Sequence, residues 1–367
     1  MLMQPFDPSD SAHRANIKVG AFLLPLQKNF IYMVHAASIA SICLDVKANE
    51  LYLDVKINEE AAFMDASSAG VRASKKVWIA PLLYLLSGGA LLGVSTNLAK
   101  LAGEVLLPPL AFLFWSVLGA VLILLFFAWL RGELPPVKWR TLEYYSISAF
   151  TGVAGSNLIF FSAIPHVGAG FVALTITLPP LLTYIGALAL RMEQFQIIRA
   201  VGVTSALAGA VALAANKLSA PDADHFWIFL ALIGPVLLAI GNLYRTIRWP
   251  EGVSGSALAP GMLVAAAIIL FAVGFLPGFS LAVPVEHSLP LILIGIQSLV
   301  FAGQFWLLFL LQKTGGPVLL SLLGSVGAAV GIPVAILLQR ETPPEGLLLG
   351  CILIGTGIVL LNLGKYR

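Results

Sequence analysis

The chain has 367 residues, 59% of them hydrophobic and 11% charged, with a mean hydropathy of +0.94 and a formal net charge of +3. A soluble domain carries about a quarter charged residues, so this balance excludes a chain solvated mainly by water. Its basic residues are scattered in short loops, which excludes a stripe following nucleic-acid phosphates, and two cysteines, Cys43 and Cys351, exclude a disulfide framework or thiolate metal site.

Residues 1–76 stand apart from the rest. They hold charges, turn residues and one apolar stretch, Phe30 to Leu44, which is short for a membrane span and is interrupted by His35. They read as a poorly ordered or interfacial cytoplasmic extension. Met64, followed by Asp65-Ala66-Ser67-Ser68 and a basic flank, reads as a native start, which would make the upstream residues non-native.

From Val77 to Leu363 the chain is a series of apolar runs of about 18–24 residues, the length that carries its own backbone hydrogen bonds through roughly 30 Å of hydrocarbon. Ten spans are predicted: 77–99, 107–130, 144–164, 168–190, 196–216, 226–245, 257–277, 288–311, 315–338 and 345–363. Placing the N-terminus in the cytoplasm puts thirteen junction Lys/Arg residues on that side, Arg245 among them. Only Lys100, Lys217 and Arg340 fall opposite. That bias predicts a multi-pass protein of the cell inner membrane with both termini cytoplasmic.

The connection 216–226 separates two halves, 77–216 and 226–363, that read as copies. Asn97 and Lys100 match Asn242 and Arg245 at an offset of 145. Further on, Ser156 matches Gln304, Gly202 matches Gly350 and Gly209 matches Gly357 at an offset of 148. Five spans per copy force opposite orientations in the bilayer, the inverted-repeat plan of many secondary transporters. The expected fold is therefore an all-α bundle of ten transmembrane helices in two inverted five-helix repeats.

No ionisable residue is read as falling mid-span. The embedded polar groups are neutral: Asn97, Ser156, Asn157, Asn242, Gln297 and Gln304 are the candidate substrate contacts. Each needs a hydrogen-bond partner, because a lone amide in hydrocarbon costs roughly 2–7 kcal/mol. Tyr145, Ser148, Gly152 and Ser156 form a stripe at helical spacing on the third span. An uncharged lining suits a neutral or zwitterionic solute, and without a buried basic residue it disfavours an anion. Glu143, Glu193, Glu341 and His166 sit at span ends as candidates for proton coupling, with His166 in a loop. Pro179, Pro180, Pro235 and Pro333 mark helix breaks able to gate, since each removes a backbone donor. Gly89 with Gly93, and Gly327 with Gly331, are packing glycines.

The run Ser162-Ala163-Ile164-Pro165 into Gly168–Leu174, the Leu178-Pro179-Pro180 break and the glycine-spaced Gly202–Ala212 recur in the second half. There they read Thr314-Gly315-Gly316, Gly331-Ile332-Pro333, Arg340-Glu341 and Gly350–Leu360. This doubled pattern resembles the EamA-type ten-span permeases of the drug/metabolite transporter superfamily. The resemblance implies alternating-access export of a small organic metabolite, an amino acid or related compound, from a cavity lined by spans 1, 3, 4, 6, 8 and 9. It also leaves open a lipid-linked carrier flippase, a membrane-embedded enzyme or a non-transport membrane subunit. Enzyme signatures are missing, and no cofactor or metal is expected. The expected partners are a small-molecule substrate and the lipid bilayer, not nucleic acid, with a homodimer allowed.

Overall fold

A computed structural model describes residues 79–363, apart from Glu193 and residues 219–223, 285–287 and 341–345. The expectations for the 1–76 extension, the Met64 start, Glu193 and Glu341 lie outside the described residues. In chain order the helices are α1 (Ile79–Glu104), α2 (Pro109–Leu130), α3 (Trp139–Ala149), a π-helical turn π1 (Phe150–Ala154), α4 (Gly155–Val167), α5 (Ala169–Thr175) and α6 (Pro179–Ala189). Then come α7 (Ile197–Leu218), α8 (His225–Ile247), α9 (Gly255–Val273), α10 (Ser288–Ser321), α11 (Leu323–Leu337) and α12 (Leu347–Leu363). No strand occurs among the described residues.

Among the described residues, seven stretches are long and apolar enough to cross a membrane, including Trp139–Val167 and Ala169–Ala189; Ile197–Ala212, Leu323–Leu337 and Leu347–Leu360 are shorter apolar helices. The surface is inverted relative to a water-soluble protein. Leu122, Phe126, Trp129, Ile268 and Val359 are exposed, whereas Asn97, Ser148, Ser156, Gln297 and Gln304 are buried. Apolar outside with polar inside is the distribution that lipid selects, so this is a membrane protein with several spanning helices.

Local chemistry sets several helix ends. Pro109 opens α2, where its missing N–H is no loss, and Gly132 follows its end at φ +67°. Asp224 and Ser254 cap α8 and α9, accepting from Trp227 N at 3.4 Å and Ala257 N at 3.3 Å. Gly168, at φ +88°, separates α4 from α5 in a conformation open to glycine.

Two expectations are corrected here. His166 is not in a loop: it lies in the last turn of α4, because Gly168 rather than Pro165 ends that helix. There its ring stacks on Trp227, centroids 4.3 Å apart, with Nδ1 3.4 Å from Asp224 Oδ2. Likewise, no loop divides 288–311 from 315–338. The α10 helix runs through Thr314-Gly315-Gly316 to Ser321, and Thr314 Oγ1 donates to Leu310 O at 2.8 Å, a bond made within a continuing helix. On the third span the stripe of Tyr145, Ser148, Gly152 and Ser156 is buried along its length, and the Tyr145 ring lies against α9, filling the space a side chain at Gly261 would need.

Lipid tails are as apolar as leucine, so helix association here depends on close packing and interhelical hydrogen bonds. The four packing glycines meet one another across α1 and α11. A Cβ on Gly93 would lie 2.5 Å from Gly327 O and 2.9 Å from Gly331 N, and one on Gly331 would lie 3.3 Å from Gly93 Cα. A second glycine contact joins α7 to α12. A Cβ on Gly209 would lie 3.1 Å from Gly350 O, and one on Gly357 would lie 2.5 Å from Gly202 O. Ser205 Oγ adds a hydrogen bond to Leu353 O at 3.0 Å. The pairing of 209 with 350 and 202 with 357 makes these two helices antiparallel.

Candidate functional site

The six polar candidates divide by what their side chains already do. Asn97 is committed to helix packing: Nδ2 donates to Gly93 O at 2.8 Å and across to Gly331 O at 3.0 Å on α11. Gln339 Nε2 also donates to the Asn97 carbonyl at 2.9 Å. Gln297 Nε2 donates to Ser95 Oγ at 2.6 Å, tying α10 to α1. Asn157 Nδ2 donates to Val153 O at 2.9 Å, inside its own helical stretch. Interhelical bonds of this kind contribute about 0.6 kcal/mol each. Unspent capacity remains at Ser156 Oγ and Gln304 Oε1, both buried without a partner, and at Asn97 Oδ1 and Gln297 Oε1. A buried polar atom without a partner is uncommon and calls for an occupant or a functional reason.

The sixth, Asn242, leads to what the sequence did not reveal. Its Oδ1 accepts from Arg245 Nη2 at 2.6 Å, and Arg245 is the largest fully buried side chain among the described residues, 1% exposed. This overturns two expectations, that Arg245 is a junction residue and that no basic group is buried. The α8 helix continues to Ile247, so Arg245 belongs to its last turn, and two glycines leave room for the guanidinium to fold inward. A Cβ at Gly152 would overlap Nη1, and one at Gly241 would lie 3.3 Å from it. Gly152 is carried by π1, where Gly155 N bonds back five residues to Phe150 O. Single π turns inside α-helices occur frequently at functional sites. The signal available in the sequence was Gly241 one turn before Arg245, a bare position on the arginine's own face.

Pro179 and Pro180 do break their span. They occupy the first turn of α6, and residues 176–178 form the gap after α5. Pro180 has no N–H to offer the Ile176 carbonyl one turn back. That carbonyl presses on α11: a Cβ at Gly324 would overlap Ile176 O and sit 2.8 Å from Ile176 C. Pro235 and Pro333 lie inside the continuous helices α8 and α11, and neither opens a gap. Around Pro235 the packing is close, since a side chain at Gly234 would meet the Phe160 ring.

Residues 79–215 match the model of the EamA-like transporter family, a match consistent with membership of the drug/metabolite transporter superfamily. No curated protein matches the chain significantly. One solved crystal structure is similar over 80% of this chain and 98% of its own length, with a TM-score of 0.55 and 17% identity. At that identity the likeness shows the fold alone.

Proposed function

Because residues 79–215 are EamA-like transporter sequence within a membrane-spanning bundle, we propose that the chain is a ten-span inner-membrane permease built of two inverted five-helix repeats. It exports a small organic metabolite, an amino acid or related compound, by alternating access, with both termini cytoplasmic. On this reading α5 with α6 is one span, α3, π1 and α4 another, and the shorter α7, α11 and α12 complete the ten.

The observation that carries the reading is the way the halves pack. Gly209 lies on Gly350 and Gly202 on Gly357, while the offset of 148 pairs Gly202 with Gly350 and Gly209 with Gly357. Crosswise contact between equivalent residues is what a two-fold axis passing between two copies produces. Ile176 and Gly324 are also 148 apart and touch, so the axis would pass through the break before Pro179. Helix pairs repeat the pattern: α1 packs on α10 as α8 packs on α4, antiparallel in each case. Sites of inverted-repeat transporters lie near the midplane where broken helices meet, and here the break meets α11. Ser156 and Gln304, equivalent across the axis and unpartnered, are the substrate contacts the proposal favours.

The test compares metabolites in the growth medium of cells expressing the intact chain with those of cells expressing the Ser156→Ala, Gln304→Ala double variant at equal membrane abundance. A small organic solute enriched outside at least severalfold only with the intact chain is the expected result. Identical media would overturn the export reading.

A further inference from the structure

Arg245 poses an electrostatic problem that the bundle itself leaves unsolved. Removing a guanidinium from water costs several kcal/mol even after relaxation. Two compensations are visible. The α8 C-terminus favours a cation by about 0.3–1 kcal/mol, and the Asn242 hydrogen bond contributes about 1.5–3 kcal/mol. Nε and Nη1 have no partner, and no carboxylate of the described residues pairs with the side chain. A guanidinium donates five N–H bonds, so most of its capacity is unspent.

The surroundings hold that spare capacity in place. The glycines at 152 and 241 seat the head group. The Tyr144 hydroxyl, buried and without a hydrogen-bond partner, lies within electrostatic reach of the guanidinium. One turn further, Ser148 Oγ is also buried and unpartnered. The Tyr144 ring is itself fixed, stacked on Tyr244 at 6.1 Å and set edge-on to Trp249 at 6.4 Å. The unsatisfied Tyr144 hydroxyl and the unspent guanidinium donors, in an aromatic setting, suit one small anion.

We propose that Arg245 is the carboxylate anchor of the transported solute, with Tyr144 as a second donor and Asn242 as the positioning residue that holds the guanidinium. The inference rests on the transport reading and narrows it: the substrate bears a carboxylate, as an amino acid or small organic acid does. One buried charge matches a monoanion. A phosphate dianion would call for a second cation at the same site. The planar fork of arginine suits a carboxylate bidentately, so lysine would be a poor substitute.

The test is thermal unfolding of the purified full chain in detergent, at constant ionic strength, with sodium acetate, L-alanine, phosphate and chloride. Acetamide and L-alaninamide serve as partners lacking the carboxylate. Acetate or L-alanine should raise the unfolding temperature, and the amides, phosphate and chloride should not. Arg245→Gln should weaken the apparent carboxylate affinity about thirtyfold or more, and Tyr144→Phe about two- to tenfold. Should Arg245→Gln fail to fold, Gly152→Ala keeps the charge but displaces the head group, and should weaken carboxylate binding while leaving the fold intact.

Equal stabilisation by amides and acids, preference for phosphate or chloride, or undiminished binding in both Arg245→Gln and Gly152→Ala would each overturn the anchor. The two readings fail separately. Carboxylate binding that depends on Arg245, with no solute moved by the chain in proteoliposomes, would remove transport and keep the site. Movement of uncharged or cationic solutes without carboxylate-dependent stabilisation would keep transport and remove the anchor.

Discussion

Gly324→Ala lowers the unfolding temperature by roughly 6–12 °C and abolishes transport. The added methyl would occupy the position of the Ile176 carbonyl oxygen, with the carbonyl carbon 2.8 Å away. A side-chain tip can rotate away, but a backbone carbonyl moves only if its helix moves. That carbonyl belongs to the gap between α5 and α6, so the methyl must lift α11 off the break or push the break off α11. Overpacking of this kind costs about 3 kcal/mol. At about 2–4 °C per kcal/mol this gives the stated shift. Gly295→Ala is the control, because nothing lies within 4 Å of its added Cβ. The check is a thermal melt of the detergent-solubilised protein beside the export assay. A melt for Gly324→Ala equal to that of Gly295→Ala would mean that α11 does not rest on the break.

The second large effect is at Gly93. Its added Cβ would lie 2.5 Å from Gly327 O and 2.9 Å from Gly331 N, so it meets backbone on two successive turns of α11. Separating α1 from α11 also stretches the bond from Asn97 Nδ2 to Gly331 O, now 3.0 Å. Gly93→Ala should therefore cost about 2–3 kcal/mol. Replacing Val330 by glycine, which removes the Cβ 3.0 Å from the added atom, should not rescue it, because backbone contacts remain. Denaturation monitored by tryptophan fluorescence measures both variants. Full rescue by Val330→Gly would show that the side chain rather than the backbone sets the approach.

These glycines show how much was legible before the structure. Their spacing on the first and ninth spans marked them as packing positions, because small residues four apart leave a groove along a helix. That the two grooves face each other is a tertiary fact that spacing does not contain. The proline break at Pro179-Pro180 was legible, since two missing donors in a row cannot continue a helix. Pro235 and Pro333, single prolines, stay within their helices. Glycine alone misled at Gly315-Gly316, where α10 continues to Ser321.

Arg245 was hidden for a different reason. In a linear reading, a charge at the end of a span belongs to the interface, as lysine and arginine near helix ends usually reach for water. Its inward course depends on Gly152 from another helix, and on a π turn that carries Gly152 there. Asn97 and Asn242, equivalent by offset, diverge in use: one bridges α1 to α11 and the other holds Arg245.

Alternating access between two repeats is tested most directly by thiol accessibility at the equivalent positions Ser156 and Gln304. Each is replaced singly by cysteine in a chain carrying Cys43→Ser and Cys351→Ser, in sealed membrane vesicles of known orientation. The account predicts that a membrane-impermeant maleimide reaches each cysteine from both faces, in proportions that a transported carboxylate shifts. Modification from one face only, whatever solute is added, would contradict it.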